Sequence, residues 1–219
     1  MNLPNTLTIS RIAITPLIAA LPFVPSANAR LWAFALFVFA GLSDWLDGYW
    51  ARTRKQGTEL GKMLDPLADK LLLFGTFVPM YFLARSMPFQ TPFGPVGLPW
   101  WVVAIVLGRE ASMTWFRQYA SRRGVVIAAV WAAKVKAFLQ FIWQGAAYYW
   151  FWVVTYAAES QWPPETFRFT AQFFGSIGAL VMIMATALTL YSLYIYARDY
   201  GRVFRMPEVP STQSSGARR

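Results

Sequence analysis

The chain of 219 residues contains five aspartates, and four of them, Asp44, Asp47, Asp65 and Asp69, fall between Ser43 and Gly75. On a helix Asp44, Asp47, Gly48 and Ala51 stand at i, i+3, i+4 and i+7, which is one continuous face. Gly61, Asp65 and Asp69 recur at four-residue spacing and share a face of the next segment. A short turn between the two segments makes them antiparallel neighbours, so all four carboxylates can converge. Four negative charges held close together at low dielectric repel strongly and, unless several are protonated, call for divalent cations. The sequence has no histidine and no cysteine. Any metal is therefore held by oxygen, which suits magnesium, manganese or calcium. The small residues Gly48 and Ala51 leave room for a ligand's flat ring or backbone to approach.

Simpler readings exist for two members of the set. Asp65 before Pro66 could be a helix N-cap with proline at the first helical position. Asp47-Gly48 could be a turn. Asp44 has no such account, and a carboxylate in an apolar segment points to function.

The elements that must carry these residues are apolar. Hydrophobic residues make up 57% of the chain and charged ones 14%, against about 25% charge in a soluble domain. Long runs such as "LWAFALFVFAGL", "YYWFWVVTYAA" and "GSIGALVMIMATALTLY" are continuous. They predict an all-α integral membrane protein and not a barrel of short alternating strands. Six transmembrane helices are expected at roughly 7–26, 29–51, 64–84, 98–120, 127–158 and 168–199, forming one domain over 1–200. The first segment holds Arg11 and Pro16 and shows no small-x-small cleavage site, so it reads as a retained span. "SMPFQTPFGPVGLP" reads as a loop on the outer face, and 201–219 as a polar, disordered cytosolic tail. "GSIG" in the last span hints at helix packing.

With six spans and an internal N-terminus, the inner connections and tail carry twelve lysines and arginines, whereas the outer ones carry only Arg30, Arg85 and Arg168. That bias places both termini in the cytosol. The net charge of +10 fits contact with anionic membrane lipids. A nucleic-acid partner is not implied, because the charges are scattered among short loops.

Arg109, Lys134 and Lys136 stand inside the expected spans, where cations are rare and usually purposeful. Lys134 and Lys136 are about 200° apart on a helix, so only one should face a given site. Snorkelling to the interface is the alternative for both. Glu110 is placed to neutralise one of these cations.

The aspartate stretch resembles the signature of the CDP-alcohol phosphotransferase family, D-x2-D-G-x2-A-R-x8-G-x3-D-x3-D. It is matched here by Asp44, Asp47, Gly48, Ala51, Arg52, Gly61, Asp65 and Asp69 without a departure. "NLPNTLTISRIAITPL", "LGREASMTWFRQYASRRG" and "WAAKVKAFLQ" resemble the bacterial phosphatidylglycerophosphate synthase branch of that family. The resemblance implies a six-helix enzyme of the bacterial inner membrane, a homodimer with a cytosol-facing active site. It would transfer the phosphatidyl group of CDP-diacylglycerol to sn-glycerol 3-phosphate and release CMP. Two Mg2+ or Mn2+ ions would be held by Asp44, Asp47, Asp65 and Asp69, with Asp69 also the general base. Gly48, Ala51, Arg52 and Gly61 would meet the donor nucleotide, with Thr8 a further candidate. The acceptor's phosphate would be met by Arg109 and Lys134, with Arg11 and Lys136 as further candidates.

Two other readings compete. A sibling enzyme could share the signature and take another acceptor: a cardiolipin synthase, or an enzyme using serine or an inositol phosphate. A divalent cation transporter would spread its acidic residues over several spans and depths, whereas these cluster at one face.

Overall fold

The computed structural model describes residues 3–54, 59–128 and 130–205; residues 3–4, 45, 47–54, 59–63 and 204–205 are described by their backbone alone. Six long helices run through the described residues. They are α1 (Leu3–Ala20), α2 (Ala27–Arg54), α3 (Glu59–Leu83), α4 (Trp100–Ser121), α5 (Trp131–Glu159) and α6 (Pro164–Tyr200). Their order follows the six apolar runs, because each run is long enough to satisfy its own backbone hydrogen bonds as a helix. Asn5–Phe23, Leu64–Leu83 and Pro164–Val203 are long and apolar enough to cross a membrane by length and composition. Of the others, α4 is diluted by charges and α5 by glutamine, tryptophan and tyrosine.

Helix α5 sits at the centre and packs against α2, α3 and α6. Its Trp143, Tyr148, Trp150 and Phe151 are buried together with Phe37 of α2, Phe77 and Met80 of α3, and Met182 of α6. Phe37 stacks between Phe141 and Tyr148, with ring centroids 4.8 and 5.5 Å away. Offset ring pairs of this kind contribute about 0.5–1.5 kcal/mol each beyond simple burial. Two of these aromatics also have their polar ends satisfied. The Tyr148 hydroxyl donates to the Ile18 carbonyl at 3.2 Å, and Trp150 Nε1 donates to the Met87 carbonyl at 3.1 Å.

Helices α1 and α3 approach closely because Gly75 has no side chain; a Cβ there would lie 2.8 Å from Thr15 Cγ2. That contact fixes the rotation of α1 on α3 and hence where Thr8 and Arg11 point, since Thr8, Arg11 and Thr15 share one face.

The segment read as an outer loop contains a two-stranded hairpin. Strands β1 (Phe89–Thr91) and β2 (Gly94–Val96) pair antiparallel, with Phe89 opposite Val96. Gly94, at φ +121°, takes a backbone conformation that other residues rarely adopt. The hairpin explains "GSIG" differently from helix packing. A Cβ on Gly175 would lie 1.9 Å from the Gln90 carbonyl oxygen, and one on Gly178 would lie 2.6 Å from the Phe89 ring. These glycines seat β1 against α6. A methyl group at either would force the hairpin off, at a cost of about 1–3 kcal/mol.

Arg30, expected among the outer-face charges, is buried. Its Nε donates to the Pro22 carbonyl at 3.0 Å, and its Nη1 reaches Met87 Sδ at 3.2 Å and the Thr155 hydroxyl. It therefore ties the start of α2 to α5 and to the segment before the hairpin. The tail residues 206–219 lie outside the described residues.

Candidate active site

Both simpler accounts of the aspartates fail on the backbone. Asp65 and Pro66 lie in the second turn of α3, whose first residue is Glu59, so Asp65 does not cap that helix. Asp47 and Gly48 lie within α2 and form no turn. Pro66 is the eighth residue of α3 and lies inside that helix, where it leaves the carbonyl four residues earlier without its usual backbone partner.

Helix α1 gathers the acidic faces of α2 and α3. Arg11 Nη1 donates to Asp44 Oδ1 at 2.5 Å and to Asp69 Oδ1 at 3.1 Å. One turn earlier, the Thr8 hydroxyl donates to Asp65 Oδ1 at 2.8 Å. Arg11 is fully buried, while Asp44 and Asp69 remain about half exposed at 52% and 62%. The guanidinium is thus fixed from below, and the carboxylates open outward. The side chains of Asp47, Gly48, Ala51, Arg52 and Gly61 lie outside the described residues; their backbones continue α2 and α3.

Among the described residues no group of three or more acidic side chains is arranged as a metal cage. The donors nevertheless suit a hard divalent cation. They are carboxylate oxygens with a hydroxyl beside them, and one positive group already bridges Asp44 and Asp69.

Beside the carboxylates a cavity of ≈ 390 Å³ opens between the first half of α3, the second half of α4 and the first half of α5. Asp69 is on its wall. So are Lys70, Arg109, Arg117, Lys134 and Lys136, five cations against Asp69 and Glu110. Helical spacing accounts for the assembly. Arg109 and Arg117 are eight residues apart on α4, and Lys136, Gln140 and Gln144 are spaced by four on α5, so each set makes a stripe on one face.

Glu110 organises the cations. Arg109 Nη1 donates to Glu110 Oε1 at 3.0 Å, and Lys136 Nζ donates to the same oxygen. Arg109 Nη2 also donates to the Ser192 hydroxyl of α6 at 3.2 Å, and its guanidinium lies 5.8 Å from the centre of the Tyr196 ring. Arg109 and Lys136 are buried, whereas Lys134 is exposed on the cavity wall. The two lysines differ as their angular separation requires, yet both line the cavity. Arg11 is not on that wall; its guanidinium belongs to the carboxylates. Thr8 likewise meets Asp65.

Sequence reasoning passed over Arg117, Lys70, Gln140 and Gln144. The two glutamines were detectable as a four-residue polar repeat continuing from Lys136 into an apolar run. Arg117, one of the twelve charges counted on the inner side, lies within α4, which continues to Ser121.

A net positive cavity with the Asp69 carboxylate on its wall can hold a phosphorylated molecule and take a proton from it. At an effective dielectric near 20, each opposite-charge pair at 4 Å is worth about 4 kcal/mol.

The sequence profile described as CDP-alcohol phosphatidyltransferase matches residues 1–204. Among curated relatives, the CDP-diacylglycerol–glycerol-3-phosphate 3-phosphatidyltransferase of Bacillus subtilis is 33% identical over 153 residues, 64% of this chain and 73% of that protein. The protein of the same name in Rickettsia bellii is 38% identical over 139 residues, 64% of this chain and 70% of that protein. The chloroplastic and mitochondrial enzyme 1 of that name in Arabidopsis thaliana is 36% identical over 135 residues, 59% of this chain and 44% of that protein. The match spans about half the length of the Arabidopsis relatives. The profile, by contrast, runs through all six helices and the whole aspartate stretch: the chain belongs to the CDP-alcohol phosphatidyltransferase family.

Proposed function

We propose that this protein transfers the phosphatidyl group of CDP-diacylglycerol to sn-glycerol 3-phosphate, giving phosphatidylglycerol phosphate and CMP. The observation that carries the reading is the shared cavity: Asp69 opens onto the same space as Arg109, Lys134 and Lys136. A carboxylate base and a cation cluster side by side are what an acceptor with a hydroxyl at one end and a phosphate at the other requires. Relatives named for this transfer support the choice of acceptor.

In this reading the acceptor's phosphate rests among the cations of α4 and α5. Arg109 offers a planar fork of donors, and Lys134 a mobile point charge. The acceptor hydroxyl is then directed toward Asp69, which takes its proton. The hydroxyl oxygen bonds to the phosphorus bearing diacylglycerol, the pyrophosphate P–O bond breaks, and CMP leaves with that electron pair. Aspartate is a weak base, so positioning supplies much of the acceleration. Arg11 holds Asp69 by one oxygen and so orients it.

Asp44, Asp47, Asp65 and Asp69 would hold two Mg2+ or Mn2+ ions, which when bound supply positive charge to the donor pyrophosphate and the departing CMP. Gly48, Ala51, Arg52 and Gly61 form the donor side. The protein works as a six-span homodimer of the inner membrane with both termini in the cytosol, the arrangement that the charge bias favours.

The test is acceptor selection. Purified protein is given CDP-diacylglycerol with glycerol 3-phosphate, serine, inositol phosphate or phosphatidylglycerol in turn, and CMP release is measured. Release that depends on glycerol 3-phosphate alone is expected, and release with another alcohol alone would reassign the enzyme.

A further inference from the structure

The polar stripe of α5 contains one group that the fold leaves unsatisfied. Lys136 is paired with Glu110, and Gln144 Nε2 donates to the Thr76 hydroxyl at 2.9 Å. Between them Gln140 is only 5% exposed and lines the cavity, and its Oε1 has no hydrogen-bond partner among the described residues. A buried amide oxygen without a partner costs about 1–3 kcal/mol. An apolar residue of similar size, such as the leucine or methionine common elsewhere in this core, would avoid that cost. A polar group kept in such a position on a cavity wall is explained by a ligand that completes it.

We infer that Gln140 determines acceptor specificity: its Oε1 accepts a hydrogen bond from the acceptor hydroxyl that does not react. The inference rests on the acceptor assignment above. The chemistry of the partner follows from the group itself. An amide oxygen only accepts, and a phosphate dianion offers no proton, so the phosphate cannot satisfy it. The phosphate belongs to the lysines and arginines around it. A hydroxyl donates, and glycerol 3-phosphate carries two of them, one to be phosphatidylated and one to spare. Gln140 lies one turn beyond Lys136 on the same face, so a molecule bound by its phosphate at Lys136 extends its carbon chain past this amide. Sites built to hydrogen-bond a substrate hydroxyl reject analogues lacking it far more strongly than apolar pockets do.

The experiment compares sn-glycerol 3-phosphate with 3-hydroxypropyl phosphate, which keeps the reacting hydroxyl and the phosphate and lacks the middle hydroxyl. Full-length protein in vesicles containing CDP-diacylglycerol is assayed with Mg2+ for CMP release. The wild type should use the analogue with kcat/KM lower by about 100-fold or more. Gln140→Met should lose activity toward glycerol 3-phosphate by a similar factor, while its activity toward the analogue changes less than about 3-fold. The preference therefore collapses. Equal use of both acceptors by the wild type overturns the inference, and needs no variant to fold. So does an equal loss toward both acceptors in Gln140→Met, which marks a structural role. So does a raised KM for CDP-diacylglycerol alone, which assigns the amide to the nucleotide. If the wild type uses neither phosphate but does use another alcohol, the acceptor assignment itself has failed and this inference falls with it.

Discussion

Arg11 Nη1 stands 2.5 Å from Asp44 Oδ1, joining the first helix to the second inside the aspartate cluster. The same nitrogen reaches Asp69 Oδ1 of the third helix at 3.1 Å. A buried guanidinium thus offsets carboxylates that would otherwise repel one another, and divalent ions would compete with it for the same oxygens. Arg11→Met should therefore lower the melting temperature of metal-free protein. Removing one partner of a fully buried pair costs about 3–5 kcal/mol, and the half-exposed aspartates reduce that to roughly 1–2 kcal/mol. Saturating Mg2+ should raise the melting temperature of the variant more than that of the wild type. Equal shifts in the two proteins would show that Arg11 does not serve as the cluster's counter-charge.

Removal of divalent ions tests the carboxylates directly. Excess chelator should abolish CMP release, and Mg2+ or Mn2+ should restore it. Full turnover in chelator would exclude a metal-dependent mechanism.

Asp69 is assigned as the base, and Asp69→Asn keeps its size and its contact with Arg11 while removing the proton acceptor. The expected result is a fall in kcat of at least about 100-fold with donor binding largely retained. Undiminished kcat would move the base elsewhere.

Much of this architecture is legible in the sequence because helices in apolar segments are local. The six runs and the aspartate face depend on spacing within one segment, and α2 and α3 carry them as the periodicity requires. What depends on contacts between segments is not legible. No spacing rule joins Thr8 to Asp65 or Arg11 to Asp44, since those pairs follow from the rotation of α1 set at Gly75 and Thr15. The hairpin at Phe89–Val96 is hidden by its own proline and glycine content, and Gly175 and Gly178 acquire meaning only once β1 is seated on them. The burial of Lys136 and exposure of Lys134 follow from how α5 is turned by its aromatic core.

The proposed topology can be read by labelling, because the chain has no native cysteine. Phe93, at the exposed tip of the hairpin, and Arg122, at the end of α4, lie at opposite ends of that helix. Phe93→Cys should react with an impermeant maleimide from outside the cell, and Arg122→Cys only after the membrane is opened. Reaction of both from one side would refute the six-span arrangement.

The most direct measurement separates the two Michaelis constants in variants of the cavity wall. Arg109 and Lys136 are poor choices, since removing either disrupts the buried cluster around Glu110. Lys134 and Arg117 are exposed and line the same cavity, so Lys134→Ala and Arg117→Ala test the electrostatics without breaking that cluster. If the acceptor's phosphate rests there, each should raise the KM for glycerol 3-phosphate by about 10-fold, equivalent to about 1.4 kcal/mol, and leave the KM for CDP-diacylglycerol nearly unchanged. A raised donor KM with an unaltered acceptor KM would contradict the account and give the cavity to the nucleotide.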